Sequence, residues 1–190
     1  MKNHSLIIGL TGTSGAGKGT VASYLKQKGF VYYSCSDILR EELKQRGIED
    51  TRDNLQALGN QIREKFGYGE LAKRLLKKII KNKEQKAIVD SIRHPKEIEE
   101  LQKNKNFYLI ALDAPIKLRY KRIKTRLRNG DNVTFEKFKE QEKKEMAEKG
   151  AGQQIGVCLK LADYKIINNG SFNELYKKLN ICLKRLNIRI

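Results

Sequence analysis

The chain has 190 residues, 39% apolar and 33% charged, and its 40 Lys and Arg against 22 Asp and Glu give a formal charge of +18. That length matches a single domain, residues 1–190, that can bury about 70% of its unfolded surface without disulfide staples. Its 15 Gly and 2 Pro exclude collagen-like and low-complexity classes, and the recurring apolar runs exclude a disordered chain.

Cys35, Cys158 and Cys182 are odd in number and far apart, which argues against a disulfide framework or structural zinc and for a reducing, cytoplasmic setting. Leu6 to Leu10 is too short for a signal-peptide core, and nothing approaches the ~18 apolar residues of a membrane span. The positive charge invites a nucleic-acid partner. Its Lys residues, however, lie on helix-like segments with Glu between them, as in Lys96-Glu97-Ile98-Glu99-Glu100. No basic block alternates with aromatics to make a stacking groove, so the reading is a solvated Lys-rich surface without a nucleic-acid partner. Monomer and homodimer are both left open.

In chain order, Ser5 to Thr11 reads as a buried strand, followed by a helix with Val21, Ala22 and Leu25 inward. Gly29 ends it, and Phe30 to Tyr33 is a second strand. Asp37 to Arg46 and Thr51 to Phe66 are helical, and after Gly67-Tyr68-Gly69 a further helix keeps Leu71, Leu75, Leu76 and Ile79 on one side. Ala87 to Asp90 is a short central strand, and Pro95 opens a helix to about Gln102. Phe107 to Leu112 is the most strand-like run. A basic helix covers Ile116 to Arg128, Asn129 to Asn132 turns, and Thr134 to Lys149 is a charged helix whose Thr134 and Lys137 lack the Glu of a full capping box. Tyr164 to Ile167 is the last strand and Phe172 to Leu186 the closing helix. Strands alternating with helices imply parallel pairing with helices on both faces, and ligands at the carboxyl ends of the strands.

The strongest local signal is Gly12-Thr13-Ser14-Gly15-Ala16-Gly17-Lys18-Gly19-Thr20. Glycines let the backbone curl so that several N–H groups converge on phosphate oxygens, and the following helix adds its dipole. In a chain this rich in Gly and Lys, Gly-x4-Gly-Lys arises by chance with odds of roughly one in six; its place between a strand and a helix makes it specific. Lys18 then reaches the β- and γ-phosphates, with Gly12, Ser14, Gly15, Ala16, Gly17, Gly19 and Thr20 around them. The strict pattern has a hydroxyl directly after the Lys, whereas here Gly19 intervenes and Thr20 is the candidate for phosphate or metal.

Gly-Lys-Gly-Thr resembles adenylate kinase and its nucleoside monophosphate kinase relatives, and the order of motifs along the chain is similar to those P-loop kinases, including phage-type deoxynucleoside monophosphate kinases and dephospho-coenzyme A kinase. The resemblance implies a three-layer α/β/α fold with a five-stranded parallel sheet, a helical acceptor-binding region near residues 36–82, a short lid near 119–148, and ATP and Mg²⁺ as cofactors. Asp37-Ile38-Leu39-Arg40 resembles the acceptor site, implying that Arg40 holds the acceptor phosphate; Asp37 either orients a substrate hydroxyl or caps its own helix. In Asp90-Ser91-Ile92-Arg93, Asp90 resembles the carboxylate that positions Mg²⁺ through water and Arg93 a second acceptor Arg, although the spacing is one residue shorter than in adenylate kinase. Arg63 is a third acceptor candidate, or else a solvent-exposed helix Arg.

Arg119, Arg122, Arg126 and Arg128 crowd one helix, and Arg122 and Arg126, four apart, share a face. They resemble the Arg-x-x-x-Arg at the lid edge, which covers the base and touches the transferring phosphoryl; a solvated basic helix is the plainer alternative. Ile8 to Gly12 and Ala162 to Ser171 look more like dephospho-coenzyme A kinase. The pattern also resembles a kinase-like domain attached to deoxycytidylate deaminases, but His4 and His94 lack the following x-Glu and there is no Pro-Cys-x-x-Cys. Three candidate Arg against one Asp favour an acceptor that is already anionic over a hydroxyl needing a base. The expectation is phosphoryl transfer from ATP to a nucleoside or deoxynucleoside monophosphate, with catalytic Lys18, Arg122, Arg126 and Asp37. Dephospho-coenzyme A kinase and a non-catalytic nucleotide-sensing module are the alternatives.

Overall fold

The computed structural model describes residues 5–126, 132–147 and 152–189. Along them run β1 (Leu6–Gly12), α1 (Lys18–Lys26), β2 (Val31–Ser34), α2 (Cys35–Gln45), α3 (Arg52–Phe66), α4 (Glu70–Lys81) and β3 (Lys86–Ile92). Then come α5 (Pro95–Gln102), β4 (Phe107–Asp113), α6 (Ile116–Arg126), α7 (Phe135–Glu145), α8 (Ile155–Lys160), β5 (Tyr164–Ile167) and α9 (Phe172–Arg185). The strands form one parallel sheet in the order β2-β3-β1-β4-β5.

The central strands are apolar throughout because both of their faces are covered. Ile7, Val89 and Leu109 face a core packed by α2 to α5 and α8, while Ile8, Ile88 and Ile110 face a second core under α1 and α9. Thus α1, which follows β1, and α5, which follows its neighbour β3, lie on opposite faces of the sheet. A crevice opens between the carboxyl ends of those two strands, where doubly wound sheets bind ligands.

Element boundaries follow the sequence closely. Pro95 to Gln102 and Tyr164 to Ile167 come out as predicted. The second strand is shifted by one residue, since Ser34 ends it and caps α2, its hydroxyl accepting from the Ser36 N–H at 3.2 Å; the helix therefore starts at Cys35 and not at Asp37. Thr51 caps α3 and Thr134 caps α7 in the same way. The basic helix is described to Arg126, and Arg128 with the turn tip Asn129 to Asp131 lies outside the described residues. Helix α8 has no counterpart in the sequence reading, because six residues are too few to show a period and Ile155, Gly156 and Cys158 are all buried. None of the described helices is long and apolar enough to cross a membrane.

Arg63 departs from expectation. It is 3% exposed on α3, and its Nη2 donates to Glu97 Oε1 at 3.0 Å, Glu97 being fully buried. The other carboxylate oxygen accepts from the backbone N–H groups of Arg93 and His94, at 2.8 and 3.2 Å. Arg63 is thus neither a surface residue nor an acceptor ligand: it ties α3 to the turn after β3, and it is not among the residues lining the cleft described below. Breaking a buried pair leaves an uncompensated charge, at a cost of about 3–5 kcal/mol. Arg63→Ala is therefore expected to lose that much stability, read as a lowered denaturant midpoint with an unchanged slope; a loss under about 1 kcal/mol would contradict the structural role.

Candidate active site

The phosphate loop joins β1 to α1. Gly12, at φ +132, lies so close to β4 that a Cβ there would stand 1.9 Å from the Leu112 carbonyl oxygen, so only glycine fits. Gly17, left-handed at φ +106, is the N-cap of α1 and gives it no side-chain cap. The first amides of α1 are therefore left to an anion, favoured by the helix dipole. Lys18 Nζ donates to the carbonyls of Gly12 and Thr13, at 2.8 and 3.0 Å.

Three strand ends brace this loop. Thr13 Oγ1 donates to Asp113 Oδ1 at the end of β4, at 2.8 Å. Beyond β5, Asn168 Nδ2 donates to the Ala16 carbonyl at 2.9 Å, and Arg122 Nη1 donates to the Asn168 carbonyl at 3.1 Å. The third brace is electrostatic. Burial pushes the Lys18 ammonium down to about 8; the charge of Asp90 at the end of β3 opposes the fall, and Arg93 adds to it.

Asp90 is aimed by a β-bulge. Gly9 pairs with Val89 and Thr11 with Ile92, so β3 carries one extra residue between them, and the side-chain parity flips: Val89 and Ile92 share a core where Val89 and Ser91 otherwise would. Ser91 takes a positive φ of 64°, which costs a non-glycine residue of order 1–3 kcal/mol. Both carboxylate oxygens of Asp90 are held, Oδ2 by the Tyr32 hydroxyl at 2.9 Å and Oδ1 by the Ser91 N–H at 2.5 Å. Burial, followed by the Asp90 charge, raises the Tyr32 phenol above its ordinary range, so it stays a donor.

One cleft of about 1100 Å³ takes in the phosphate loop and residues that follow β2 and β3. Ser14, Gly15, Ala16, Gly17, Lys18, Gly19 and Thr20 line it, and Gly12 packs against β4 at Leu112. Asp37, Arg40, Asp90 and Arg93 line it as well, and Arg122 and Arg126 line it from α6. Arg119 is instead buried: its guanidinium donates to the Ala114 carbonyl at 2.6 Å and pairs with Glu142 of α7. With Phe138 fully buried as well, α6 and α7 pack down on the body.

Among the described residues, no group of three His, Cys, Asp or Glu could hold a metal alone. Mg²⁺ keeps its waters and takes one or two protein ligands besides phosphate oxygens. The donors present fit it, since the Asp90 carboxylate and the Thr20 hydroxyl line the same cleft as the loop.

On the acceptor side, Arg40 Nη1 donates to Asp37 Oδ1 at 2.9 Å, and its Nε lies 3.4 Å from Asp50 Oδ2. These partners are exposed, 57% and 42%, and such pairs exchange readily with an incoming anion. The sequence reading missed Arg52, Tyr32 and Asn168, which also line the cleft, and Glu145. Arg52 Nε donates to Glu145 Oε1 at 2.8 Å and Nη2 stands 2.7 Å from Oε2, while Arg93 Nη1 donates to the same Oε1 at 3.5 Å and to Gln153 Oε1 at 2.8 Å. Glu145 is 2% exposed. Burial alone would raise its carboxyl, but Arg93 and Arg52 overcome that and hold it below the usual carboxylate range.

Sheet order, phosphate loop and opposed cationic wall together define a P-loop kinase-like fold. A family model described as an AAA domain matches residues 8–151. A UPF0200 protein of Pyrococcus abyssi is 35% identical over 187 residues, covering 95% of this chain and 97% of that protein, and one of Sulfurisphaera tokodaii is 38% identical over 180 residues with the same coverage. The chain belongs to the UPF0200 proteins, within that AAA-domain family. The shikimate kinase of Acinetobacter baumannii, solved with shikimate, superposes with a TM-score of 0.59 at 17% identity over 97% of this chain and 96% of its own. That of Bacteroides thetaiotaomicron gives 0.62 at 10% identity, over 96% and 99%. These likenesses show the fold alone, and they do not single out the monophosphate kinases.

The position of Lys18 sets a pH dependence. In the free protein its charge is lost as pH rises through about 8, and a bound polyphosphate draws the proton back. With ATP as probe, calorimetry at pH 8 in two buffers of different ionisation enthalpy is expected to show uptake of about half a proton, with affinity falling above pH 8. Flat affinity from pH 7 to 9.5 with no proton uptake would contradict this.

Proposed function

We propose that this protein is an ATP- and Mg²⁺-dependent phosphotransferase that moves the γ-phosphoryl group to a nucleoside or deoxynucleoside monophosphate in a reducing cytoplasm. The observation that carries the reading is one cleft lined both by the Lys18 loop and by Arg40, Arg52 and Arg93. Two anions repel unless cations neutralise both, and planar guanidinium forks suit a phosphate.

On this reading the α1 amides and Lys18 hold the donor's β- and γ-phosphates. Arg40 exchanges its exposed carboxylate partners for the acceptor phosphate, and Arg93 meets the same anion. An acceptor phosphate oxygen attacks the γ-phosphorus in line, and the β–γ bridging oxygen leaves with ADP. Arg122 and Arg126 neutralise the charge spread over the moving phosphoryl group. Mg²⁺ held near Thr20 and Asp90 supplies further neutralisation of phosphate oxygens. No protein base is needed, since the attacking oxygen is already anionic, and positioning with charge neutralisation carries such reactions. Asp37 then serves its helix and Arg40; a hydroxyl acceptor would turn it into the base.

An ADP-release assay with ribo- and deoxynucleoside monophosphates, dephospho-coenzyme A and shikimate tests the reading. Turnover is expected with at least one monophosphate, and Lys18→Ala is expected to lower kcat by about 100-fold or more while keeping the wild-type melting temperature. Turnover with a hydroxyl acceptor alone would replace the proposed acceptor. No turnover with any, together with salt-sensitive nucleic-acid binding, would replace the enzyme by a binding module.

A further inference from the structure

Glu145 is a buried carboxylate outside every motif described so far, on α7, 52 residues from Arg93 and 93 from Arg52. Both arginines line the cleft, at 29% and 19% side-chain exposure, and Glu145 lies behind them at 3%. Its two oxygens meet Arg52 side-on, through Nε and Nη2. Arg93 is held differently: both of its side-chain bonds, to Glu145 and to Gln153, leave from Nη1. Its main chain is fixed too, the N–H donating to Glu97 and the carbonyl accepting from Gln154. One corner of the Arg93 guanidinium is thereby anchored, and among the described residues its Nε and Nη2 donors have no partner and remain for a ligand.

The placement of α7 is equally determined. Gln141, one turn before Glu145, accepts from Arg52 Nη1 at 3.0 Å, and Glu142 pairs with the buried Arg119. Phe138 fills the interior, with the guanidinium carbons of Arg52 and Arg119 at 5.5 and 5.9 Å from its ring centre. A single carboxylate thus sets the spacing of two cations that repel each other, from the side away from the cleft.

We infer that Glu145 is a positioning residue for the acceptor anion, acting through Arg93 and Arg52: it anchors one corner of Arg93 and holds Arg52 beside it, so that the free edge of Arg93 is presented to a phosphate group. It touches no substrate. The consequence for turnover rests on the phosphotransfer reading; the orientation of the two arginines does not.

The test follows the guanidinium Nε–Hε signals of Arg93 and Arg52 by ¹⁵N NMR, assigned with Arg93→Lys and Arg52→Lys, in the wild type and in Glu145→Gln. Inorganic phosphate is the probe. The Arg52 signal, whose Nε donates to Glu145, is expected to move toward free arginine in Glu145→Gln, and the apparent Kd for phosphate read on Arg93 is expected to rise about tenfold, with partial recovery in Glu145→Asp. In the enzyme assay the acceptor KM rises by a similar factor while the ATP KM stays within twofold, and in an Arg93→Lys background Glu145→Gln adds nothing to the acceptor KM. Should Glu145→Gln not fold, Glu145→Asp carries the comparison, since it keeps the charge and withdraws it by one methylene.

An unchanged Arg52 signal, an equal phosphate Kd, or no response of the wild-type Arg93 to phosphate would overturn the inference. Equal rises in both KM values would reduce Glu145 to a structural residue. A wild type that binds phosphate at Arg93 yet phosphorylates no acceptor would count against the phosphotransfer reading and leave Glu145 in place.

Discussion

Cations gathered to receive phosphates repel one another until the phosphates arrive, and the architecture of the site answers that repulsion. Lys18, enclosed at the start of α1, is pushed down by burial and by Arg93 and Arg126, and lifted by Asp90 and Glu145. Each of these carboxylates comes from a different part of the fold and is itself buried. The β3 bulge delivers Asp90, and α7 delivers Glu145. Without them the cleft would hold an ammonium and several guanidiniums in a partly desolvated space, where charge interactions are strong. The carboxylates are placed behind or beside the cations, so neutralisation does not fill the cleft.

How much of this is legible in the sequence depends on the range of each interaction. The phosphate loop is written in nine consecutive residues, and its glycines match their backbone geometry, as Gly12 and Gly17 show. Arg40 and Arg93 follow strands, so the topology of a parallel sheet already puts them at the ligand end. Arg63 is an Arg in an amphipathic helix like any other until Glu97, 34 residues on, turns up buried beside it. The Glu-rich run around Glu97 reads as a solvated face, yet Glu97 is its one fully buried carboxylate.

Glu145 is harder still. Phe-Glu-Lys-Phe-Lys-Glu-Gln-Glu-Lys-Lys-Glu has the pattern of a charged surface helix, whose apolar residues are Phe135 and the buried Phe138. Its partners are remote in sequence, and α8, whose leading Gln153 completes the hold on Arg93, is too short to be seen by periodicity. The bulge escapes for a related reason: Asp90-Ser91-Ile92 alternates acceptably as a strand, and only the register against β1 shows the inserted residue.

The cationic wall of the cleft divides into two kinds of ion pair, and the division bears on which cation meets a ligand. Arg40 is tied to Asp37 and Asp50, all of them well exposed; water screens those contacts, and an arriving phosphate has little to displace. Arg52 and Arg93 are tied to a carboxylate that is buried, further restrained by Gln141 and Gln153, and carried on a helix locked by Phe138. A phosphate cannot evict that partner without unseating α7, so it must approach the donors left over. For Arg93 these are Nε and Nη2 together, a two-pronged edge that matches a phosphate or carboxylate and poorly matches a lone hydroxyl. The geometry of the fixed pairs therefore supports an anionic acceptor more than a count of arginines does, because it specifies which edge of which guanidinium is available.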